Sequence, residues 1–153
     1  SQTIISKSYN NGRVIMEVKN HLRPSQSQMD EFLSGDNDTP IAMVNLLKFK
    51  EKAEYEDGRE TDLSGKDAYM IYGLEVMGHL HKVGATSFFG GDVSRLMLGE
   101  VEDLWDMVAI AKYPSRKAML QMMMDPESQK REVHRSEALE GQLHIETKTI
   151  FYG

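Results

Sequence analysis

The sequence predicts an α+β fold, one antiparallel sheet with helices laid across it, and three observations carry that prediction. From residue 41 onward the elements read β-α-β-β-α-β, the order of a split-βαβ, ferredoxin-like sandwich. The runs Ile41 to Phe49 and Met107 to Tyr113 are apolar on both faces, whereas a strand with one solvated face alternates. The stretch Trp105 to Arg135 reads strand, tight turn, helix, break and second helix. Two helices cover only one face of a four-stranded antiparallel sheet. The apolar second face therefore needs another cover, and a second subunit is the natural one.

Residues 1–39 read as an N-terminal extension and residues 40–153 as the main domain. In the extension, the β-like runs Thr3 to Tyr9 and Arg13 to Lys19 flank Asn11-Gly12. Asn-Gly is preferred where both central turn residues need positive φ, so a hairpin is expected. Its second run alternates, with Val14, Met16 and Val18 against Arg13, Ile15, Glu17 and Lys19, and Pro24 ends it. Ser25 suits the N-cap of a short helix to Leu33, with Met29, Phe32 and Leu33 on one face. Gly35 to Pro40 is a loop.

The strand Ile41 to Phe49 sets Ile41, Met43, Leu47 and Phe49 against Ala42, Val44 and Leu46, with Asn45 and Lys48 as interruptions. Lys50 to Leu63 is an acidic loop around Asp57-Gly58. Ser64 with Asp67 resembles a capping box and starts a helix of roughly 20 residues. Tyr69, Tyr72, Val76, Leu80 and Val83 make its apolar row, with Met70, Leu74 and Met77 beside it, and Gly84 fits the C′ position. Thr86 to Phe89 and Arg95 to Leu98 read as one strand bent at Gly90-Gly91, or as two short strands. Glu100 to Leu104 is a turn. After the strand to Tyr113, Pro114-Ser115 stops the run, Arg116 to Met123 is helical, and Asp125-Pro126 caps a new helix carrying His134 and Arg135. Gln142 to Tyr152 alternates, with Leu143, Ile145, Thr147, Thr149 and Phe151 on one face.

Composition narrows the function. A chain of 153 residues suits one domain with a real core. Hydrophobic residues at 40% and charged residues at 27% exclude wholesale disorder. A net charge of -6 works against nucleic acid and against an anionic membrane as partners. The absence of cysteine removes disulfides, thiolate metal sites and cysteine nucleophiles. Ser1 to Asn11 lack the basic start and apolar core of a signal peptide, and no apolar run approaches membrane-spanning length. A cytoplasmic protein is expected. The 11 methionines read as adaptable core filling, with a plastic ligand pocket as the sharper alternative.

Several motifs in fixed order resemble the DUF1330 family: Met43-Val-Asn-Leu-Leu-Lys-Phe49, the loop Tyr55 to Glu60, Ala68-Tyr69 with Tyr72-Gly73, Tyr113-Pro114-Ser115-Arg116, Asp125-Pro126-Glu127 with Gln129, and His134-Arg135. The resemblance spans residues 40–148 and leaves the N-terminal hairpin outside. It implies a dimeric α+β barrel, in which two ferredoxin-like subunits pack sheet against sheet. Members of that superfamily include cofactor-free monooxygenases, haem-binding enzymes, isomerases and proteins of no known activity. The resemblance therefore implies a fold and a homodimer rather than a reaction.

The resemblance implies that a pocket can lie between one subunit's sheet and its own helices, and six residues are candidates for chemistry there. An amide in mid-strand must be hydrogen-bonded, so Asn45 either orients a ligand oxygen or bonds neighbouring backbone. His134 titrates near neutrality and can move a proton; the alternative is that it packs against the sheet. Arg135 can hold an anionic group bidentately, or pair with a nearby carboxylate. Trp105 can stack on a planar ligand or anchor a dimer interface. Tyr72 and Tyr113 can aim hydroxyls into a pocket, although such tyrosines are more often core. Lys48 and Arg116 suit anion contacts or ordinary surface pairing. Gly90-Gly91 precedes no helix and is no phosphate loop. His79 and His81 are two apart on a helix and diverge, so no metal is expected, and no cofactor fingerprint occurs. The expectation is a small-molecule-binding protein or cofactor-independent enzyme acting on a small polar or aromatic compound. The alternative is a structural or stress-associated homodimer without a ligand pocket.

Overall fold

A computed structural model describes residues 8–15, 18–19 and 21–151. The elements are β1 (Ser8–Asn10), β2 (Arg13–Ile15), α1 (Gln26–Ser34), β3 (Ile41–Phe49), α2 (Gly65–Lys82), β4 (Thr86–Asp92), β5 (Met107–Tyr113), α3 (Arg116–Met124), α4 (Pro126–Ala138) and β6 (Leu139–Thr147). The main sheet is antiparallel throughout, in the order β4-β5-β3-β6. From β3 onward, this is the α+β, ferredoxin-like arrangement that the element order predicts. The sheet is open, with β4 and β6 as its edges.

Register separates the two faces, because residues opposite one another across an antiparallel pair share a side. One face carries Ile41, Met43, Asn45 and Leu47 with Ala109, Ala111 and Tyr113 of β5, and Gln142, His144 and Glu146 of β6. The helices cover this face. Ile41, Met43 and Tyr113 form the main core with Leu80 of α2 and Met119 of α3. The other face carries Val44, Leu46, Val108, Ile110, Leu143 and Ile145, with Phe89 of β4 opposite Ile110. On it Ile145 is 44% exposed and Phe89 50%.

Local chemistry fixes the helix ends. Ser25 and Gln28 form a full capping box on α1. Ser64 accepts from the Asp67 amide at the start of α2. At its end Gly84 adopts φ +76°, and the Gly84 and Ala85 amides donate to the carbonyls of His81 and Leu80. That is a Schellman cap, and it needs a residue tolerant of positive φ. Asp125 leaves helical geometry, ends α3 and caps α4 through the Glu127 amide, with Pro126 at the first helical position. Gly65 serves a different purpose. A Cβ there would lie 2.1 Å from the Lys50 carbonyl oxygen and 2.6 Å from that of Ala138. The Gly65 amide donates to Lys50, and the Lys50 amide to Ala138. The ends of β3 and α4 and the start of α2 thus meet backbone to backbone.

Three expectations are corrected. Arg95 to Leu98 is not a strand. Beyond Asp92 only Val93 still donates to this end of β5, at the Asp106 carbonyl, and the Asp106 amide turns away to Leu47. Lys48 gathers Asp103, the Leu104 carbonyl and Asp106, drawing the loop over the end of β3. Arg95 to Leu98 are left without a ladder partner. β6 starts at Leu139, directly from α4, and stops at Thr147 rather than Tyr152. Its partner β3 has no residues before Ile41, so Lys148 turns to Asp36 and Thr39, and Thr149 and Phe151 lie outside the strand. On α2, Met70, Leu74 and Met77 face outward rather than flanking the buried row. The N-terminal hairpin forms as expected over β1 and β2, with Asn11 at φ 51° and Gly12 at φ 76°. The rest of that expectation, Thr3 to Lys7 and Met16 to Glu17, lies outside the described residues, as does Tyr152.

Candidate functional site

β6 is built backwards for an ordinary two-layer sandwich. Its apolar residues Leu143 and Ile145 face away from the helices, and its polar residues Gln142, His144 and Glu146 face toward them. Two of those polar groups are accounted for at once. Glu146 accepts two 2.7 Å bonds from Nε and Nη2 of Arg116 on α3. Gln142 donates from Nε2 to Asn45 Oδ1 at 2.6 Å.

The amides form a relay with a fixed polarity. Asn45 Nδ2 donates to the Ala109 carbonyl at 3.2 Å, and Gln142 Oε1 accepts from Arg135 Nη1. A guanidinium only donates and a backbone carbonyl only accepts. Each intervening amide therefore points its oxygen toward Arg135 and its nitrogen toward Ala109. Arg135 is held in turn: Nε donates to Glu132 Oε1 at 2.6 Å and Nη2 to the Leu22 carbonyl. The His21 amide donates to the Gln142 carbonyl, so the N-terminal segment runs along the free edge of β6.

An aromatic wall stands beside the relay. The Phe49 and Tyr69 rings lie 5.5 Å apart between centroids, and Tyr69 and Tyr72 lie 5.4 Å apart. Desolvation raises the Tyr69 phenol to about 12, against the opposing pull of Arg135. It raises that of Tyr72 further. His144 keeps solvent access, yet desolvation first and the Arg135 charge second push its pKa down to about 4. The ring lies on the helix-facing side of β6, with water still reaching it. Among the described residues, the His144 ring and the Tyr69 and Tyr72 hydroxyls have no hydrogen-bond partner.

The structure thus brings Asn45, Tyr72 and Arg135 into one neighbourhood and sends the other candidates elsewhere. His134 Nδ1 lies 3.4 Å from the Tyr55 hydroxyl, with the rings edge to face. Arg59 stacks on the far partner, 4.1 Å from the Tyr55 ring centre. Tyr55 borders an open cleft of about 340 Å³ between Leu22-Arg23 and Ser136-Glu137. That cleft mixes Lys50 and Arg23 with Glu54, Glu56 and Glu137, and Lys50 already faces Glu54 at 3.9 Å. Its aromatic member is Tyr55, already engaged with His134 and Arg59, and the organised chain of polar groups is that of the relay. Tyr113 is core: it is 5% exposed and its hydroxyl faces the Met122 sulfur at 3.9 Å. Trp105 is half-buried at the Lys48–Phe49 end of β3, in the loop that Asp106 locks by accepting from the Phe49 amide. Lys48 and Arg116 are engaged in the ion pairs described above. His79 is buried with Nδ1 unpartnered. No group of three potential metal-binding His, Asp or Glu residues occurs among the described residues.

His144, Gln142 and Tyr69 are absent from the sequence candidates. The signal for the first two was present: in an alternating strand, the residues that alternate with Leu143 and Ile145 form the second stripe. Which stripe faces the helices follows only from pairing register, which alternation alone leaves open.

No helix among the described residues is long and apolar enough to cross a membrane. The chain matches no protein-family model, and no curated protein matches it. Solved structures do resemble it. The RPA0582 protein of Rhodopseudomonas palustris, a protein of unknown function, superposes with a TM-score of 0.78 at 28% identity, over 88% of this chain and 100% of that one. The methylated RPA0582 protein superposes with a TM-score of 0.79 at 32% identity, over 89% of this chain and 99% of that one.

Proposed function

We propose, for a chain that belongs to the family of the RPA0582 protein, a small-molecule-binding function seated between the sheet and helix α2. The observation that carries it is the inverted alternation of β6, which gives Gln142 and His144 to the helix side and leaves His144 without a hydrogen-bond partner among the described residues. Turning Gln142 and His144 toward the helices forgoes the apolar packing that the opposite register would give to Leu143 and Ile145. The motif resemblance to DUF1330 fits the same reading. The open apolar face supports a homodimer closed sheet against sheet into an α+β barrel. A net charge of -6 keeps nucleic acid and membrane surfaces outside the reading, and the cytoplasm suits it. If the protein catalyses a reaction without a cofactor, His144 handles the proton, Asn45 orients an oxygen and Arg135 positions Asn45 through Gln142.

A structural dimer without a ligand is the second reading. It is favoured by Arg135, all three of whose guanidinium nitrogens have internal partners. Native mass spectrometry of freshly purified protein separates the two. The binding reading expects a dimer with a discrete extra mass, lost in His144→Ala and kept in His134→Ala. A clean wild-type dimer, with His144→Ala changing nothing but stability, overturns it.

A further inference from the structure

The hydrogen-bond capacity left over around the relay points to the chemistry of a ligand it would take. Each amide has two N–H donors and two oxygen lone pairs. The relay uses one donor and one lone pair of Asn45, and likewise of Gln142. Each amide nitrogen therefore keeps a second hydrogen. Tyr69 and Tyr72 add unpartnered hydroxyls, which stay protonated at neutral pH, and His144 adds a neutral ring. The cation of the site is not available to a ligand. Arg135 is paired with Glu132 and tied to Gln142 and Leu22. A carboxylate or phosphate ligand finds no free cation there to offset its charge, and a cationic ligand finds only Glu132, which Arg135 already holds. What remains suits an uncharged oxygen acceptor. The tilted rings of Phe49, Tyr69 and Tyr72 supply an apolar wall for a flat body attached to it.

From this we infer that the relay and the rings beside it select a neutral aromatic carbonyl compound. Its oxygen is received by the unused amide N–H groups of Asn45 and Gln142, and its ring lies against Tyr69 and Tyr72. Arg135 is then a positioning residue, which holds the amides with their nitrogens presented rather than contacting the ligand. The inference rests on the binding function proposed above.

Four probes of similar size test it on the full chain: acetophenone, ethylbenzene, benzoate and benzylamine, titrated while the side-chain amide resonances of Asn45 and Gln142 are followed by NMR. The expected result is binding of acetophenone at least about tenfold tighter than ethylbenzene, the worth of one good hydrogen bond. Acetophenone should shift both amide resonances, and the two ions should bind more weakly than either neutral probe. Equal binding of ethylbenzene, or tighter binding of benzoate or benzylamine, overturns the carbonyl assignment and leaves the pocket standing. No binding by any of the four up to millimolar concentration removes the pocket and the assignment together. Gln142→Leu is expected to bring acetophenone down to the affinity of ethylbenzene while ethylbenzene is unchanged; a retained preference overturns the relay's role. If that variant fails to fold, the four-probe comparison on the wild-type protein still decides.

Discussion

Arg116 grips Glu146 with two nitrogens and stacks on Phe32, 5.2 Å from the ring centre. The two charged side chains are 15% and 21% exposed, so removing one strands the other in a poorly solvated place. Arg116→Ala is expected to cost about 3 kcal/mol in urea unfolding. Hydrogen bonding from Arg116, ahead of its charge, holds the Glu146 carboxyl below its ordinary value. That stabilisation is complete above the unfolded carboxyl pKa of about 4.3 and is lost as pH falls through the folded one. His144 acts in a different window. Its folded pKa of about 4 lies below the ordinary 6.5, so the unfolded chain takes up a proton first. Stability should therefore decline as pH drops from 6.5 to about 4, then level off with respect to this group. His144→Gln is expected to flatten that interval alone, as read by thermal midpoints across pH. An unchanged slope would mean that His144 is hydrated like a surface histidine. At this scale the sequence showed Asn45, because an amide in a hydrophobic strand is conspicuous. It hid His144, because a polar residue in an alternating strand looks solvent-facing until its neighbour strand is known.

The elements were legible where local chemistry decides them. Asn11-Gly12, Ser25, Ser64, Gly84 and Asp125-Pro126 all occupy the turn or cap expected of them. Strand ends were not, because they depend on the length of the partner: β6 stops where β3 runs out, and Arg95 to Leu98 lose their partner to the turn at Asp106. Three glycines on or beside α2 make a signed test of this distinction. Gly78 is helical with open space around its missing Cβ, so Gly78→Ala should stabilise the protein by about 0.5–1 kcal/mol. Gly84 sits at positive φ, so Gly84→Ala should destabilise it by about 1 kcal/mol. Gly65 faces backbone oxygens that cannot swing aside, so Gly65→Ala should be the worst of the three. Differential scanning calorimetry on the three variants gives the order, and a stabilising Gly65→Ala would contradict the packing described at that junction.

For the whole molecule, the two-sided apolarity of β3 and β5 was the most far-reaching signal in the sequence, since it asks for a second cover that one subunit does not supply. The outward side of the sheet keeps Val44, Leu46, Val108, Ile110 and Ile145 together, a surface of the kind that marks association. Ile110→Lys places a charge in its middle and should convert a dimer to a monomer in size-exclusion chromatography with light scattering, leaving the helix content unchanged. A wild-type monomer would refute the sheet-to-sheet pairing. The meeting of Lys50, Gly65 and Ala138 also bears on how the chain assembles. Lys50 and Gly65 are much nearer in sequence to one another than either is to Ala138, so bringing the first two together costs less chain entropy than returning Ala138 to them. The hydrogen bond from Gly65 to Lys50 should therefore form early in refolding and the one from Lys50 to Ala138 late, with the amide of Gly65 gaining exchange protection before that of Lys50. The same three-way contact that makes the native junction rigid thus divides folding into a local step and a long-range one.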